Sequence, residues 1–443
     1  MKHIHLFFAQ IVSAFLFAST LQAQEIYTLK RVLETGLERN YDIRIIRNEQ
    51  QISDNNTTWG NAGLLPTVDV SGGYDGSLAT IDQFRTDTTN VHYNHILNQR
   101  ATLGLNLNWT VFDGFKMQTE YSRLKEFQRI GEIQTRIAIE NLMASLTAEY
   151  YDHVRQTLRL KNLKYAVSLS KERLRIVEAR YNIGSLSRLD LQQARVDFNA
   201  DSSRLIQQYE RLNTSTIVLN HLMAVDDVSQ KWTVGDTAIV PNILPDKHVL
   251  WDKTKETNTQ LLLSEKNKSL SRLDLKAFQS RNLPYVTLNA GYGYTLNGYD
   301  TDNSTINRQT NLGFTYGLTL GYTLFDGMNR QREQKNARIS LQNRDLEHQR
   351  LELALQADLT TLWMAYQNNL ELTGLEKENL STAHENYEIA IERYLLGDLS
   401  GIELREAQNS LLEAEERLLE AQYNTKLCEV SLLQISGQLA NLF

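Results

Sequence analysis

The chain has 443 residues, of which 41% are hydrophobic and 22% are charged, so it holds enough apolar material for two or three domains. This balance excludes a disordered chain and a helical membrane protein, and the net charge of −7 argues against nucleic acid as a partner. The single cysteine, Cys428, excludes an internal disulfide, and no spacing of Cys and His indicates a metal site or another cofactor.

Residues 1–23 are predicted to be a secretory signal peptide. They carry one lysine, an apolar run and a small residue, Ala23, before the expected cleavage point. A buried N-terminal helix is the alternative. Beyond residue 24 no stretch approaches the ~20 apolar residues of a membrane-spanning helix, so we expect an exported protein without a helical anchor.

Four later segments alternate between apolar residues and small or polar ones, which predicts β-strands near 67–76, 101–112, 285–297 and 311–325. Their lengths suit a tilted crossing of a bilayer, and Trp and Tyr lie near the ends of their apolar faces, as in the aromatic girdles of membrane barrels. Strands of a soluble sandwich would also alternate and are the alternative. The polar segments 77–100 and 297–310, between the paired strands, are predicted to be outward-facing loops.

Four strands are too few to close a barrel. Hydrocarbon requires every backbone N–H and C=O group to be paired, and single-chain barrels begin at about eight strands. Other subunits must therefore complete the barrel, as a dimer with twice as many strands or as a trimer with three times as many. The strands alone leave this choice open.

The tripeptide FDG follows the second strand of each predicted pair, as Phe112, Asp113, Gly114 and as Phe325, Asp326, Gly327. At both places the spacing of apolar residues changes from every second residue to about every 3.6 residues. A strand is therefore predicted to be followed by a helix. The aspartate is expected to cap the new helix or turn, and the glycine to let the chain bend.

Two very long helices are predicted after these tripeptides, because each run contains nearly 70 residues without proline, roughly 100 Å of helix. Each is expected to turn back at a glycine, Gly184 or Gly397, into a second helix. The last helix carries a heptad seam typical of coiled coils, at Leu404, Ala407, Leu411, Ala414, Leu418 and Ala421. The corresponding seam in the first half has two polar members and consists of Leu191, Ala194, Phe198, Asp201, Leu205 and Gln208.

The two halves of the chain resemble each other. LPTVDVSGGY at 65–74 resembles LPYVTLNAGY at 283–292, and the stretch at 179–198 resembles that at 392–411, in the same order. This order indicates an internal duplication. The predicted division is a first repeat over 24–225, a linker over 226–247 and a second repeat over 248–443.

Together these features resemble the TolC family, the outer membrane channels of tripartite efflux and type I secretion systems. The resemblance depends on the repeated strand-pair and helix-pair plan, on FDG, and on a Tyr-x-x-Gly turn with an acidic residue six positions after the glycine. It implies a fold of mixed α and transmembrane β class, in which four β-strands per subunit contribute to a shared trimeric 12-strand barrel, continuous with a long antiparallel coiled-coil helical tunnel. It also implies a homotrimer in outer membrane lipid, a periplasmic adaptor protein, and an inner-membrane pump of the RND, ABC or a related type.

The resemblance further implies a gate at the periplasmic end of the tunnel. Counted from Gly397, Tyr394 matches the gate tyrosine of the family, and Glu403 and Glu406 match its acidic rings. Asp190, six residues after Gly184 in the first half, matches the partner carboxylate.

Each of these residues also has a plainer interpretation. Glu403 and Glu406 lie on one helix face, where they are either stacked acid rings in a pore or solvated surface charges. Tyr394 is either a gate contact or a seam residue, and the two glycine turns are either adaptor-contact tips or ordinary hairpins. The chain departs from the family at Leu399, where an arginine is expected, and the candidates to replace its salt bridge are Arg188 and Arg405.

Three functions are compatible with these patterns. The first is a passive exit duct for efflux or secretion, driven by a partner pump; the second is a barrel-anchored trimeric coiled coil acting as an adhesin or envelope spacer. A simple porin is third, because porins do not need helices of roughly 100 Å. No nucleophile motif, phosphate-binding loop or carboxylate pair indicates an enzyme, and nothing indicates whether the substrate is a drug, a metal ion or a protein.

Overall fold

The computed structural model describes residues 26–84, 86, 90–299 and 306–442, so the predicted signal peptide lies outside the described residues. The strands are β1 Ile26–Tyr27, β2 Thr67–Phe84, β3 Asn90–Phe112, β4 Thr233–Val234, β5 Tyr285–Gly298 and β6 Arg308–Gly321. The helices are α1 Leu29–Arg39, α2 Tyr41–Asn56, α3 Lys116–Asn182, α4 Arg188–Leu222, α5 Lys247–Thr257, α6 Thr259–Ser280, α7 Asn329–Leu396 and α8 Gly401–Ile435, followed by a 3₁₀ turn, Leu439–Leu442. Among the described residues, none of these helices has both the length and the apolar character to cross a membrane.

Two compact units make up the described chain. The helical unit comprises described residues of Met1–Asn48, Ile133–Leu262 and Arg350–Phe443; the sheet unit comprises those of Glu49–Glu132 and Leu263–Gln349. Each unit therefore draws on both halves of the chain.

The sheet unit contains one antiparallel sheet with the strand order β2-β3-β5-β6. Its register aligns residues of like character across all four strands, because directly paired residues point to the same face. One row is Val70, Leu105, Tyr292 and Phe314, and the next row, on the opposite face, is Asp69, Asn106, Gly291 and Thr315. Within the described strands of this sheet only Ile96 is buried, so neither face is covered by another layer of the chain.

The first strand pair is longer than the sequence predicted. Residues 77–84 and 90–100 belong to β2 and β3 and pair with each other up to Phe84 and Asn90, so the prediction of a loop over 77–100 is wrong for most of that segment. Its alternation is weak because Thr, Asn and Asp are frequent, yet the ladder continues through a bulge between Ala79 and Ile81. The last strand ends at Gly321, four residues before the predicted end at 325.

The helical unit contains most of the buried apolar side chains. The largest cluster joins α3, α4 and α8 with the N-terminal residues and the segment after α4, and includes Leu146, Tyr150, Leu219, Trp232 and Val430. A buried ion pair fixes that segment: Glu429 accepts hydrogen bonds from the backbone N–H and side-chain amide of Asn242, both at 2.9 Å, and lies 2.9 Å from Lys426.

Both very long helices are confirmed, since α3 has 67 residues and α7 has 68. On α8 the predicted seam is buried at Leu404, Ala407, Leu411, Ala414 and Ala421, but Leu419 is buried in place of Leu418. On α4, Asp197 is buried and Phe198 is only half-buried, while the two polar seam residues, Asp201 and Gln208, are both buried. The seams therefore follow the predicted heptads with single-residue shifts and include buried polar groups.

Candidate functional site

The candidate site is the end of the helical unit where α3 turns into α4 and α7 turns into α8. Gly184 and Gly397 have φ values of 79° and 90°, a backbone that favours glycine. At both turns a backbone N–H reaches back to the carbonyl of residue i−5, from Ser185 to Arg180 at 2.9 Å and from Asp398 to Arg393 at 3.0 Å. Such bonds satisfy the last carbonyls of a helix and end it sharply.

Two of the predicted gate carboxylates begin the returning helices. Asp190 and Glu403 each occupy the third helical position of a capping box, with Ser187 and Ser400 as the respective N-caps. Glu403 accepts from the backbone N–H of Ser400 at 2.9 Å, and hydrogen bonds from Ser400 lower the pKa of Glu403. Both carboxylates are exposed, and both have a local structural role.

Glu406 lies one turn further along α8 and is exposed. Its spacing of three residues from Glu403 places the two carboxylates on one side of the helix. The two carboxylates therefore share one face of α8, and the acid rings stay a prediction.

Tyr394 is buried, with 4% of its surface exposed, in a cluster drawn from both helix pairs. The guanidinium of Arg180 on α3 lies 5.4 Å from the centre of the Tyr394 ring. It also donates a hydrogen bond to the carbonyl of Leu395 at 2.9 Å. Burial raises the pKa of Tyr394, so its hydroxyl stays protonated at neutral pH. A cavity of about 260 Å³ is lined by Tyr394, Asp190 and Gly397 together, whereas Gly184, Glu403 and Glu406 are not part of its wall.

Leu399 lies in the same cavity wall and packs against the apolar cluster. The arginine that the family resemblance led us to expect there is replaced by an apolar contact. Arg405 provides a charged link instead, because it forms two hydrogen bonds to Asp201 on α4, at 2.6 and 2.8 Å. Arg188, the other candidate, is exposed.

The Asp201 carboxylate is the centre of a buried polar cluster. Burial alone raises its pKa, but hydrogen bonds from Arg405 and from Ser170 on α3 outweigh that effect and lower the pKa below its usual range. Gln408 on α8 donates to Ser170 at 3.1 Å and to the carbonyl of Ala166 at 3.3 Å. The cluster therefore joins α3 and α4 to α8 through charge-assisted hydrogen bonds, which are stronger than neutral ones.

Arg173 on α3 is hydrogen-bonded to Asp197 on α4, one turn closer to the glycine turns than Asp201, and both side chains are largely buried. In the sequence, Asp201 is recognisable only as a polar interruption of the seam, and no pattern indicates Arg173, Asp197 or Ser170. A carboxylate at a seam position signals a buried partner, because an isolated buried charge is strongly unfavourable. The partner itself lies at a long sequence separation and leaves no local pattern.

The FDG tripeptides lie at the two strand-to-helix junctions. The carboxylate of Asp113 accepts from the backbone N–H of Met117 at 3.1 Å, and that of Asp326 accepts from the N–H of Arg330 at 3.0 Å. Gly114 and Gly327 have φ values of 72° and 69°. A Cβ on Gly114 would lie 2.3 Å from the carbonyl oxygen of Ser280, so this position excludes every larger residue.

The residue after each junction glycine also has a left-handed backbone conformation. Phe115 has φ 68° and Met328 has φ 65°, and such backbone costs a residue with a side chain about 1–3 kcal/mol. Phe112 is half-buried, whereas Phe325 is 76% exposed because β6 ends before it.

The chain thus contains a sheet of long strands with exposed faces, and each strand pair leads through a capped junction into a pair of very long helices. This is the plan of an outer membrane channel subunit. The chain belongs to the family described as Outer membrane efflux protein, whose model matches residues 32–225 and 250–438. It is thus placed in the outer membrane, with its helical part in the periplasm, and the resemblance to the TolC family is confirmed.

Individual relatives are distant in sequence and close in length and fold. Outer membrane protein TolC of Vibrio cholerae is 22% identical over 397 residues, covering 86% of this chain and 84% of the relative. Outer membrane efflux protein BepC of Brucella suis is 19% identical over 439 residues, covering 97% and 90%. The crystal structure of the CmeC outer membrane channel of Campylobacter jejuni matches with a TM-score of 0.79 at 16% identity, covering 93% of this chain and 86% of that one.

Proposed function

We propose that three copies of this chain form an exit duct through the outer membrane, which passively conducts substrate delivered by a periplasmic adaptor and an inner-membrane pump of the RND, ABC or a related type. The observation that carries this proposal is the open sheet. The outer edges of β2 and β6 have no partner strand among the described residues, and all four residues of the row Val70, Leu105, Tyr292 and Phe314 are exposed.

Closure in hydrocarbon then requires the β6 edge of one copy to pair with the β2 edge of the next. Three copies supply a 12-strand barrel whose outer surface is the apolar face and whose lumen carries Asn, Thr and Gly. The same arrangement makes the two repeats, 24–225 and 248–443, equivalent walls of one barrel and one helical tunnel, joined by the linker 226–247. Trimerisation is preferred over dimerisation because of the family resemblance.

The cluster at the helix turns supports a gate. In this proposal Tyr394, Asp190 and the Asp201–Arg405 pair hold the second helix pair against the first, which keeps the tunnel end narrow. The turns at Gly184 and Gly397 are exposed, and nothing in the described structure lies within 4 Å of a Cβ added to either glycine. They are therefore free to act as the tips that an adaptor contacts.

The purified protein in planar bilayers tests the duct and the gate together. We expect a trimer with low conductance, and we expect Arg405→Gln to raise the conductance because it breaks a link between the helix pairs. Arg417→Gln is the matched control, since Arg417 lies 3.0 Å from Glu376 of α7, within the second pair only. A trimer without conductance would favour the envelope-spacer alternative, and equal conductance of both variants would contradict the role of Arg405.

The acidic residues of α8 are proposed to set cation preference, because rings of carboxylates favour cations in a constriction. Substitution by glutamine is the informative change at Glu403, since glutamine removes the charge and keeps the capping interaction. We expect Glu403→Gln with Glu406→Gln to lower the cation-to-anion permeability ratio measured from reversal potentials. The matched control is Glu413→Gln, an exposed glutamate further along α8; an unchanged ratio in the double variant would contradict the acid rings.

A further inference from the structure

The residues after the two junction glycines combine an unfavourable backbone with an exposed apolar side chain. Phe115 and Met328 are left-handed, at φ 68° and 65°, yet they are 58% and 61% exposed. Glycine would remove the strain at either position, and asparagine would reduce it. Because the same combination occurs at both junctions, it points to a role for the side chains themselves.

A bulge directs the first junction toward the apolar face of the sheet. The ladder between β3 and β5 pairs Thr110 with Thr287 and then Phe112 with Val286, so that Val111 is skipped. Val286 belongs to the apolar face, and the bulge therefore brings Phe112 to that face. The ring of Phe115 packs edge-on against Phe112, with ring centres 5.2 Å apart, and extends the apolar face beyond the last strand residue.

The second junction also presents exposed apolar side chains, which there follow the end of β6. After β6 ends at Gly321, Leu324, Phe325 and Met328 are 86%, 76% and 61% exposed. Exposed cations follow at both junctions, Lys116 directly after Phe115 and Arg332 four residues after Met328. Apolar and aromatic side chains followed by Lys and Arg are the usual order of residues from the bilayer interior through the headgroups to water.

We propose that Phe115 and Met328 are membrane anchors, which the left-handed Gly-Phe and Gly-Met pairs hold in the headgroup region of the glycerophospholipid leaflet that faces the helices. This inference rests on the proposed function, in which the apolar face of the sheet lies in lipid. The anchors lie where that face ends and the helices begin, so they fix the depth of the barrel in the membrane.

Spin labels at single cysteines measure this depth. The labels are attached to the cysteines of Phe115→Cys and Met328→Cys, each in a Cys428→Ser background. The labelled trimer is measured in phosphatidylcholine–phosphatidylglycerol vesicles. The matched controls are Phe127→Cys and Ile339→Cys, exposed positions on the same two helices, and about 18 Å of helix separates Phe115 from Phe127. A label at Phe314, an exposed residue in the middle of β6, reports the sheet itself.

We expect labels at positions 115 and 328 to collide more with oxygen and less with a water-soluble nickel chelate than labels at 127 and 339. Equal collision rates at all four positions, with the label at 314 in lipid, would overturn the anchor proposal and leave the channel proposal intact. A label at 314 that is open to the nickel chelate would overturn both.

The substitution Met328→Gly distinguishes a side chain that anchors the protein in lipid from one that only strains the backbone. If Met328 had no contact with lipid, relief of its left-handed backbone would raise the thermal midpoint of the protein in nanodiscs. If Met328 is an anchor, we expect the midpoint in nanodiscs to fall while the midpoint in a short-chain detergent rises or is unchanged. A midpoint that rises in both media would overturn the proposal.

Discussion

His153 on α3 lies where that helix meets α4 and the segment that follows α4. Only 3% of its surface is exposed; its ring is hydrogen-bonded to Ser215 at 2.6 Å, and ring centres of His153 and Trp232 are 4.6 Å apart. Burial lowers the pKa of His153 from 6.5 to about 4, against a smaller opposing effect of Asp152. The folded protein therefore keeps this histidine neutral where the unfolded chain would protonate it.

This difference makes stability depend on pH. The contribution is complete above pH 6.5 and is lost as the pH falls from 6.5 toward 4, because the unfolded state then binds one more proton. At pH 5 the loss should be about 2 kcal/mol, from 1.4 kcal/mol per pH unit. Denaturant midpoints at pH 7.5 and pH 5 measure it: His153→Gln should lose less stability than the wild type. His384→Gln, at an exposed residue, should behave as the wild type does.

The residue types at the site were predictable where their role is local, and less so where it depends on distant contacts. Asp113 and Asp326 cap their junctions as the FDG pattern suggested, since a capping side chain bonds its own neighbours. Arg405 was identified only as a candidate, because its partner, Asp201, is 204 residues away in the chain. The packing that brings them together belongs to the fold.

Ser187 and Ser400 have equivalent positions at the starts of α4 and α8. Each begins its helix with a capping box, which satisfies two of the N–H groups that a helix leaves without a partner. Because both helices start directly after an exposed glycine turn, the caps keep the tips of the hairpins ordered.

Removal of one cap should loosen its tip selectively. Ser400→Ala is expected to destabilise the first turn of α8 by about 1 kcal/mol, the usual effect of losing a serine N-cap. Hydrogen exchange of the amides of residues 401–404 measures this effect. Ser410→Ala, in the interior of the same helix, should leave the exchange of the tip unchanged; equally fast exchange in both variants would contradict the role of the cap.

The extent of each element was predictable only where its periodicity is strong. The even positions of 312–320 are all apolar, and β6 was found there, whereas the polar residues of 77–100 concealed the outer parts of β2 and β3. Backbone pairing with an existing partner strand extends a ladder through polar sequence, and periodicity does not report this. The shift from Leu418 to Leu419 on α8 has a similar cause, since an ideal helix drifts from a strict heptad by about 20° per repeat.

The faces of the sheet decide which surface meets lipid in the proposed trimer. Phe314 lies in the row with Tyr292, Leu105 and Val70, whereas its neighbour Thr315 lies in the opposite row and donates to the carbonyl of Gly291 at 3.4 Å. The two residues share strand, height and backbone environment, and differ only in the face that they occupy. They therefore form a matched pair for testing the orientation of the barrel.

The same substitution at both positions should have unequal effects. Phe314→Arg places a charge on the lipid face and should cost about 2–4 kcal/mol near the middle of the bilayer, because arginine is poorly solvated there. Thr315→Arg places it in a water-filled lumen, where no comparable penalty applies. The fraction of folded, heat-modifiable trimer recovered in vesicles should fall for Phe314→Arg and stay near the wild-type value for Thr315→Arg; the reverse order would mean that the apolar rows face inward and that the sheet closes in another way.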